Sequence, residues 1–305
     1  MVTGNMDNKG TVTLSFDCEG KWGMIDSNLD WVNNISNESL VKVYEYILDV
    51  LNFYDIPATF AFVGALTEKK ETFMKLNQSH LTGYSHKKWI NSAIKKINEN
   101  EDGWFVPKLL ELVKNDKIHE IASHSYSHTP FNKLNIDEAL IELGLVKKWS
   151  EKNKIKCQSF IFPRNLIAYD ELLMQFGINF YRDTPNNFNY RFFPRLLNML
   201  IEELLIFKKG EDIKNNNKIP GGTFINWMYG PRRIIPSQLT LLKNKSIINS
   251  IKCNNNKNSH FWLHPHNLIS APRTKINFEN LCKSIHTAKK NDYVIIKKMN
   301  EYSIN

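Results

Sequence analysis

An acidic pair two residues apart, a histidine pair four apart and two later turns with polar residues are the groups in this chain that could do chemistry together. The acidic pair is Asp17 and Glu19 in Phe16-Asp17-Cys18-Glu19, and the histidines are the ends of His124-Ser125-Tyr126-Ser127-His128. The later turns are Phe162-Pro163-Arg164-Asn165 and Leu263-His264-Pro265-His266. In one helical turn, imidazoles at i and i+4 stand roughly 5–6 Å apart, close enough to grip one divalent ion. A carboxylate added to them gives a three-ligand site with positions left open for water and substrate, the make-up of a catalytic ion. Because side chains alternate along an extended chain, Asp17 and Glu19 point to one side and Cys18 to the other. One carboxylate can then bind the ion while the other takes a proton from water, with Arg164 holding that base and His264 protonating a leaving amine. A Cys18 thiolate is the rival third ligand. The chemistry is metal-assisted hydrolysis.

Such groups need elements that end side by side. Apolar segments of strand length alternate with segments of helical period, the pattern of a parallel sheet with crossover helices. Strands are expected at 11–16, 58–63, 118–122, 158–162, 178–181, 223–227, 260–263 and 293–296, and helices at 37–53, 107–115, 137–152, 169–176, 237–251 and 278–290. The polar groups follow the carboxyl ends of the first, third, fourth and penultimate strands, as in a (β/α) barrel. An open two-faced sheet is the alternative, but no Gly-rich phosphate loop follows the first strand. One domain, 9–300, is expected, with insertions at about 64–104 and 184–218 that the periodicity does not place. Within the second, 196–207 is apolar on more than one face and reads as a buried helix.

Taken in order, the motifs resemble those of the polysaccharide deacetylases of the NodB-homology class, carbohydrate esterase family 4. His124 to His128 is similar to the family's His-Ser-x-x-His, Leu263-His264-Pro265 resembles its last motif, and Asp17-Cys18-Glu19 resembles the subgroup with Asp-x-Glu in the first. The arginine motif departs, since Pro163 precedes Arg164 where most members have Arg before Pro. The resemblance implies a distorted (β/α)7 barrel with Asp17 as base, Glu19, His124 and His128 on one divalent ion, and His264 as acid. The ion would be Zn2+, with Co2+, Mn2+ or Ni2+ as substitutes. A backbone N–H near Asn165 would help hold the oxyanion. The reaction would remove an acetyl group from an N-acetylated sugar, nucleotide-linked or lipid-linked, in the making of a surface polysaccharide such as O-antigen or capsule. The alternatives are an inactive carbohydrate-binding protein of the same fold, or a hydrolase of an O-acetyl ester or cyclic imide.

Composition bounds the rest. With 305 residues and 42% hydrophobic, the chain can bury a large core. No apolar run approaches the roughly 18 residues of a membrane span, and the polar start lacks a signal peptide's apolar stretch, so a cytoplasmic protein is expected. Forty Lys plus Arg against 31 Asp plus Glu leave a net +9, but the lysines fall in scattered pairs such as Lys69-Lys70 and Lys289-Lys290. That reads as a solvated surface with room for peripheral membrane contact and no nucleic-acid partner. Cys18, Cys157, Cys253 and Cys282 form no Cys-x-x-Cys pair and read as free thiols. Trp22, Trp227, Tyr229 and Trp262 lie near the motifs and could stack on a sugar, His266 could line the pocket, and Arg232-Arg233 could clamp a phosphate. His80, His86, His119, His260 and His286 read as structural.

Overall fold

The first strand, β1 (Gly10–Cys18), is buried along its whole length, and its alternation sets the character of both faces of the sheet. Val12, Leu14, Phe16 and Cys18 join the main apolar core, where Phe16 meets Phe278. Thr13, Ser15 and Asp17 turn the other way and hydrogen-bond to Tyr302 and Arg182. The inner face of β1 is therefore polar, and the main apolar core lies between the sheet's outer face and the helices. The computed structural model describes residues 9–80, 83–185, 194–204, 207–213, 217–252 and 254–302.

The remaining strands are β2 (Thr59–Phe62), β3 (Glu120–Ser123), β4 (Ser159–Phe160), β5 (Phe180–Arg182), β6 (Glu211–Asp212), β7 (Lys218–Ile219), β8 (Thr223–Phe224), β9 (Lys257–Leu263) and β10 (Val294–Ile296). β1 to β5 lie side by side in sequence order, all parallel, and β9 runs parallel on the other edge of β1. β7 pairs with β5 and β8 pairs with β9. Only Pro220, Gly221 and Gly222 separate these two short strands, so one bent segment spans both edges of the curled sheet. Together with β1 to β5 and β9 it makes the seventh stave of the expected distorted barrel. Gly222 has φ +72°, and a Cβ there would stand 2.1 Å from the His260 carbonyl oxygen, so the bend needs glycine. The opposite end is plugged by the chain's last turn: Met299 N–H donates to Thr59 Oγ1 at 3.0 Å, and Met299 and Tyr302 pack on Ala61, Ala122, Ile161, Phe180 and Ile219.

The helices are α1 (Asn37–Phe53), α2 (Lys70–His80), α3 (Tyr84–Glu99), α4 (Lys108–Asn115), α5 (Ile136–Lys152), α6 (Arg195–Leu204), α7 (Ser237–Ser250), α8 (Asn267–Ser270) and α9 (Thr274–Lys290). Asn135 caps α5 by accepting from Glu138 N–H, with Glu138 answering in a capping box. The first insertion, unplaced by periodicity, is α2 and α3. Its stripe of Trp89, Ile90, Ala93 and Ile97 is buried but narrow, and the lysines around it mask the period. α6 packs on α7, and Glu203 is buried against Lys243 at 2.6 Å, yet Leu197 and Leu204 are exposed. The fully buried helix expected there is thus only partly buried. Residues 186–193, inside the second insertion, and Cys253 lie outside the described residues. Among the described residues no helix is long and apolar enough to cross a membrane.

A hydrogen-bond relay holds the seventh stave to the barrel interior. Arg182 Nη1 donates to Ser15 Oγ at 3.2 Å, Ser15 Oγ donates to His260 Nε2 at 2.8 Å, and His260 Nδ1 donates to the Pro220 carbonyl at 2.8 Å. His260 must be neutral for this, and burial, helped by Arg182, pushes its pKa down to about 3. The unfolded imidazole takes up its proton below about 6.5, so the relay's contribution is full above that pH and is lost as pH falls toward 3. Denaturant unfolding should show about 2 kcal/mol less stability at pH 5 than at pH 7 from this group alone. His260→Gln, which does not titrate, should remove that part of the slope; an unchanged slope would contradict it.

Candidate active site

The carboxyl end of β1 delivers Asp17 into the barrel mouth, where a residue from across the mouth meets it. Arg182, at the end of β5, donates from Nη1 and Nη2 to Asp17 Oδ1 and Oδ2, both at 2.7 Å. Its Nη2 also donates to Asn165 Oδ1 at 2.8 Å, and the guanidinium rests 4.4 Å from the Trp262 ring centre. Burial would raise the Asp17 pKa, but the charges of Arg182, His124 and His264 outweigh it and hold the carboxyl below its ordinary range.

Glu19 lies just past the strand, its carboxylate closed over by Gly23, where a Cβ would stand 2.1 Å from Oε1. Oε2 is 2.7 Å from His128 Nε2 and 3.4 Å from His124 Nε2. His124 Nδ1 donates to the Ile161 carbonyl at 2.8 Å, so its Nε2 carries the lone pair and faces a carboxylate oxygen. Both ring nitrogens of His128 are buried, and Nδ1 has no hydrogen-bond partner. Two imidazole nitrogens and a carboxylate oxygen converging at one buried point are a donor set for a divalent ion, so Glu19, His124 and His128 fit one. Burial would raise the Glu19 pKa, but the surrounding imidazoles, His264 first, hold it well below the usual range. Cys18 points into the core, its thiol pushed up by burial and its Sγ 3.5 Å from the Phe16 carbonyl, so it is no part of this donor set.

The histidine pair is not on a helix. After β3 the chain makes a tight loop with Ser125 (φ 63°) and His128 (φ 59°) in the left-handed region, and this brings the two rings to 4.9 Å between centres. Ser125 Oγ accepts from His128 N–H at 2.9 Å, which gives the motif's serine its purpose. Glu142 of α5 accepts from Tyr126 N–H at 2.9 Å and Ser127 N–H at 2.6 Å, and His86 of α3 stands 3.0 Å from its other oxygen.

His264 is the partly exposed member of the site, with Nδ1 3.1 Å from Asn267 Oδ1 and Nε2 facing Asp17 Oδ2 at 3.8 Å and Glu19 Oε1 at 3.5 Å. His266 is buried, stacked on His264 at 5.0 Å and on Trp31 at 5.7 Å. Trp227 is half-buried and lies flat on Tyr229 at 4.8 Å, both edge-on to Trp31.

Three expectations are corrected. Arg164 does not hold Asp17: it pairs with Asp26 and lies over the Trp89 ring, because the turn after β4 aims it outward. Asn165 does reach the base, through its side chain, but its N–H is spent on the Phe162 carbonyl at 2.9 Å and offers nothing to an oxyanion. Trp22 is fully buried among Phe73, Trp104 and Phe105, so it packs the core and lines no pocket. Arg182, Trp31, Glu142 and Asn267 escaped sequence reasoning. Only Arg182 left a signal there, as the residue directly after the strand expected at 178–181.

A family profile described as polysaccharide deacetylase matches residues 5–164. No curated protein matches the chain. Among solved structures it is similar to a putative polysaccharide deacetylase from Mycobacterium smegmatis, at 10% identity over 98% of this chain and 96% of that one, with a TM-score of 0.49. It is similar to the chitin deacetylase of the fungal pathogen Colletotrichum lindemuthianum at 14% identity, 96% and 87% coverage and TM-score 0.46. A 4-alpha-glucanotransferase from Thermococcus litoralis aligns at 13% identity with TM-score 0.54, over 97% of this chain and 40% of that one. At that identity the likeness to the glucanotransferase is one of fold.

The Glu142 clamp can be tested directly. Glu142→Ala strands two buried N–H donors and should cost about 2–5 kcal/mol in denaturant unfolding. Glu142→Gln should recover most of that, since its amide oxygen can still accept from both; a loss below about 1 kcal/mol in the alanine variant would show the loop stands unaided.

Proposed function

The chain belongs to the polysaccharide deacetylase family, and we propose that residues 9–300 form one catalytic domain that removes an acetyl group from an N-acetylated sugar with one divalent ion. The observation that carries this reading is the meeting of His124 Nε2 and His128 Nε2 with the Glu19 carboxylate, beside a second carboxylate clamped by Arg182. Glu19, His124 and His128 would hold the ion, with Zn2+ the best match to two imidazoles and a carboxylate. When bound, it would supply Lewis acidity toward the acetyl carbonyl and toward the attacking water.

The chain's own groups divide the proton work. Asp17, kept ionised by Arg182, accepts the proton of the attacking water, and the bidentate grip fixes the direction of its oxygens. His264, fixed through Nδ1 on Asn267, presents Nε2 to the departing amine and gives it a proton. Trp227 and Tyr229 offer an aromatic face to the sugar. Arg232 lies 5.4 Å over Phe224, which packs on His264, and its Nε is 3.6 Å from Glu203 Oε1; from there it would meet the phosphate of a nucleotide- or lipid-linked sugar. Such a substrate suits the building of a surface polysaccharide.

Metal-loaded protein should release acetate from N-acetylated sugars and lose that activity on chelation; no metal-dependent release from a panel of free, oligomeric and nucleotide-linked sugars would defeat the reading. His124→Ala and His128→Ala should lose the ion, measured by elemental analysis, whereas Cys18→Ala should keep it. Asp17→Asn should keep the ion and lower kcat by about 100- to 10,000-fold. In Arg182→Gln, burial is no longer opposed by the guanidinium, so the acid limb of kcat/KM, set by ionisation of Asp17, should move to higher pH.

A further inference from the structure

Glu19 has two carboxylate oxygens, and they serve two different pairs of imidazoles. Oε2 faces His124 and His128. Oε1 faces His264 Nε2 at 3.5 Å and His266 Nε2 at 3.9 Å. We propose that Glu19 Oε1, His264 and His266 form a second divalent-cation site, with Glu19 bridging it to the first.

The chemistry of each donor points the same way. The His264 Nδ1–H donates to Asn267 Oδ1, so its Nε2 lone pair looks at oxygens of Glu19 and Asp17, and acceptor faces acceptor. Either a proton or a metal ion must sit there to make the contact favourable. Asn267 is buried and also accepts from His264 N–H at 3.2 Å, which is the outer support that fixes a ligating imidazole's tautomer and plane. His266 is 1% exposed, its Nδ1 is buried with no hydrogen-bond partner, and its ring is stacked between Trp31 and His264. A polar ring buried at that cost and held in one orientation, with its other nitrogen toward a carboxylate, is accounted for by a cation. An ion with bonds of about 2.0–2.2 Å in tetrahedral array holds its ligand atoms about 3.3–3.6 Å apart, so small shifts of the observed 3.5 and 3.9 Å suffice. A carboxylate shared in this way sets two ions about 3.5–4 Å apart.

The second ion has a consequence for the proposed reaction, on whose first metal site and acid this inference rests. It takes the same His264 Nε2 that delivers the proton to the leaving amine. Proton and second cation therefore compete for one lone pair, and filling the second site switches the acid off. Divalent metal in excess of one equivalent inhibits, while the first equivalent activates.

Metal-free protein titrated with Zn2+ in a calorimeter should take up two equivalents per chain, the second suppressing acetate release. With Mn2+ the doubly loaded protein should give the electron paramagnetic resonance spectrum of an exchange-coupled pair. His266→Phe, which keeps an aromatic ring between Trp31 and His264, should keep the first ion and lose both the second and the coupled spectrum. If that variant does not fold, His264→Ala, at a partly exposed position, should lose the same ion. One equivalent in the wild type, lost in His124→Ala, would overturn the second site and leave the proposed function standing. Two equivalents persisting in both the His264 and His266 variants would also overturn it. No binding at all would defeat both readings.

Discussion

A buried guanidinium and a buried carboxylate cannot both be kept charged inside a protein unless each is the other's partner, and the Arg182–Asp17 pair places that demand on the whole barrel. Both residues are almost without solvent contact, and the pair satisfies both carboxylate oxygens at once. β1 and β5 are not neighbours, so the contact exists only because the sheet curls until their carboxyl ends face each other across the mouth. The same arginine reaches Ser15, and through Ser15 and His260 the demand extends to the carbonyl of Pro220 in the closing stave. Charge at the site and closure of the fold are thus one hydrogen-bonded system.

Three buried carboxylates surround the mouth, and their partners separate their duties. Glu142 meets backbone N–H groups and one imidazole, fully used, so it shapes the loop that carries the histidine pair. Asp17 meets a guanidinium that never gives up its proton, so it stays ionised and correctly aimed while its oxygens can still accept from water. Glu19 meets imidazole nitrogens on both of its oxygens, a donor set that a cation would complete. Residue type does not distinguish these duties; the chemistry of the neighbour does.

That distinction marks how far the chain could be read before folding. Strand-length runs and the placement of chemistry at strand ends were legible, because each is written in neighbouring residues. Asp17, Glu19, His124, His128 and His264 came together as their positions at strand ends imply. The partner of Asp17 was not legible: Arg164 and Arg182 both follow expected strands, and only the left-handed turn at 164–165 decides that one leaves the site and the other enters it. Trp22 sits close to the acidic pair in sequence, yet the tight return of the chain at Gly23 sends it into the core. Local pattern places elements; contacts between distant ones assign roles.

The closing stave bears on how such a site changes over evolutionary time. The seventh stave touches its neighbours through two pairings of two residues each, joined by Pro220, Gly221 and Gly222. The length of that bend therefore bears on the girth of the mouth. Inserting or deleting a residue there would widen or narrow the opening without moving Glu19, His124 or His128, which hang from other staves. The fold carries an adjustable seam at this bend, apart from the strands that carry Glu19, His124 and His128.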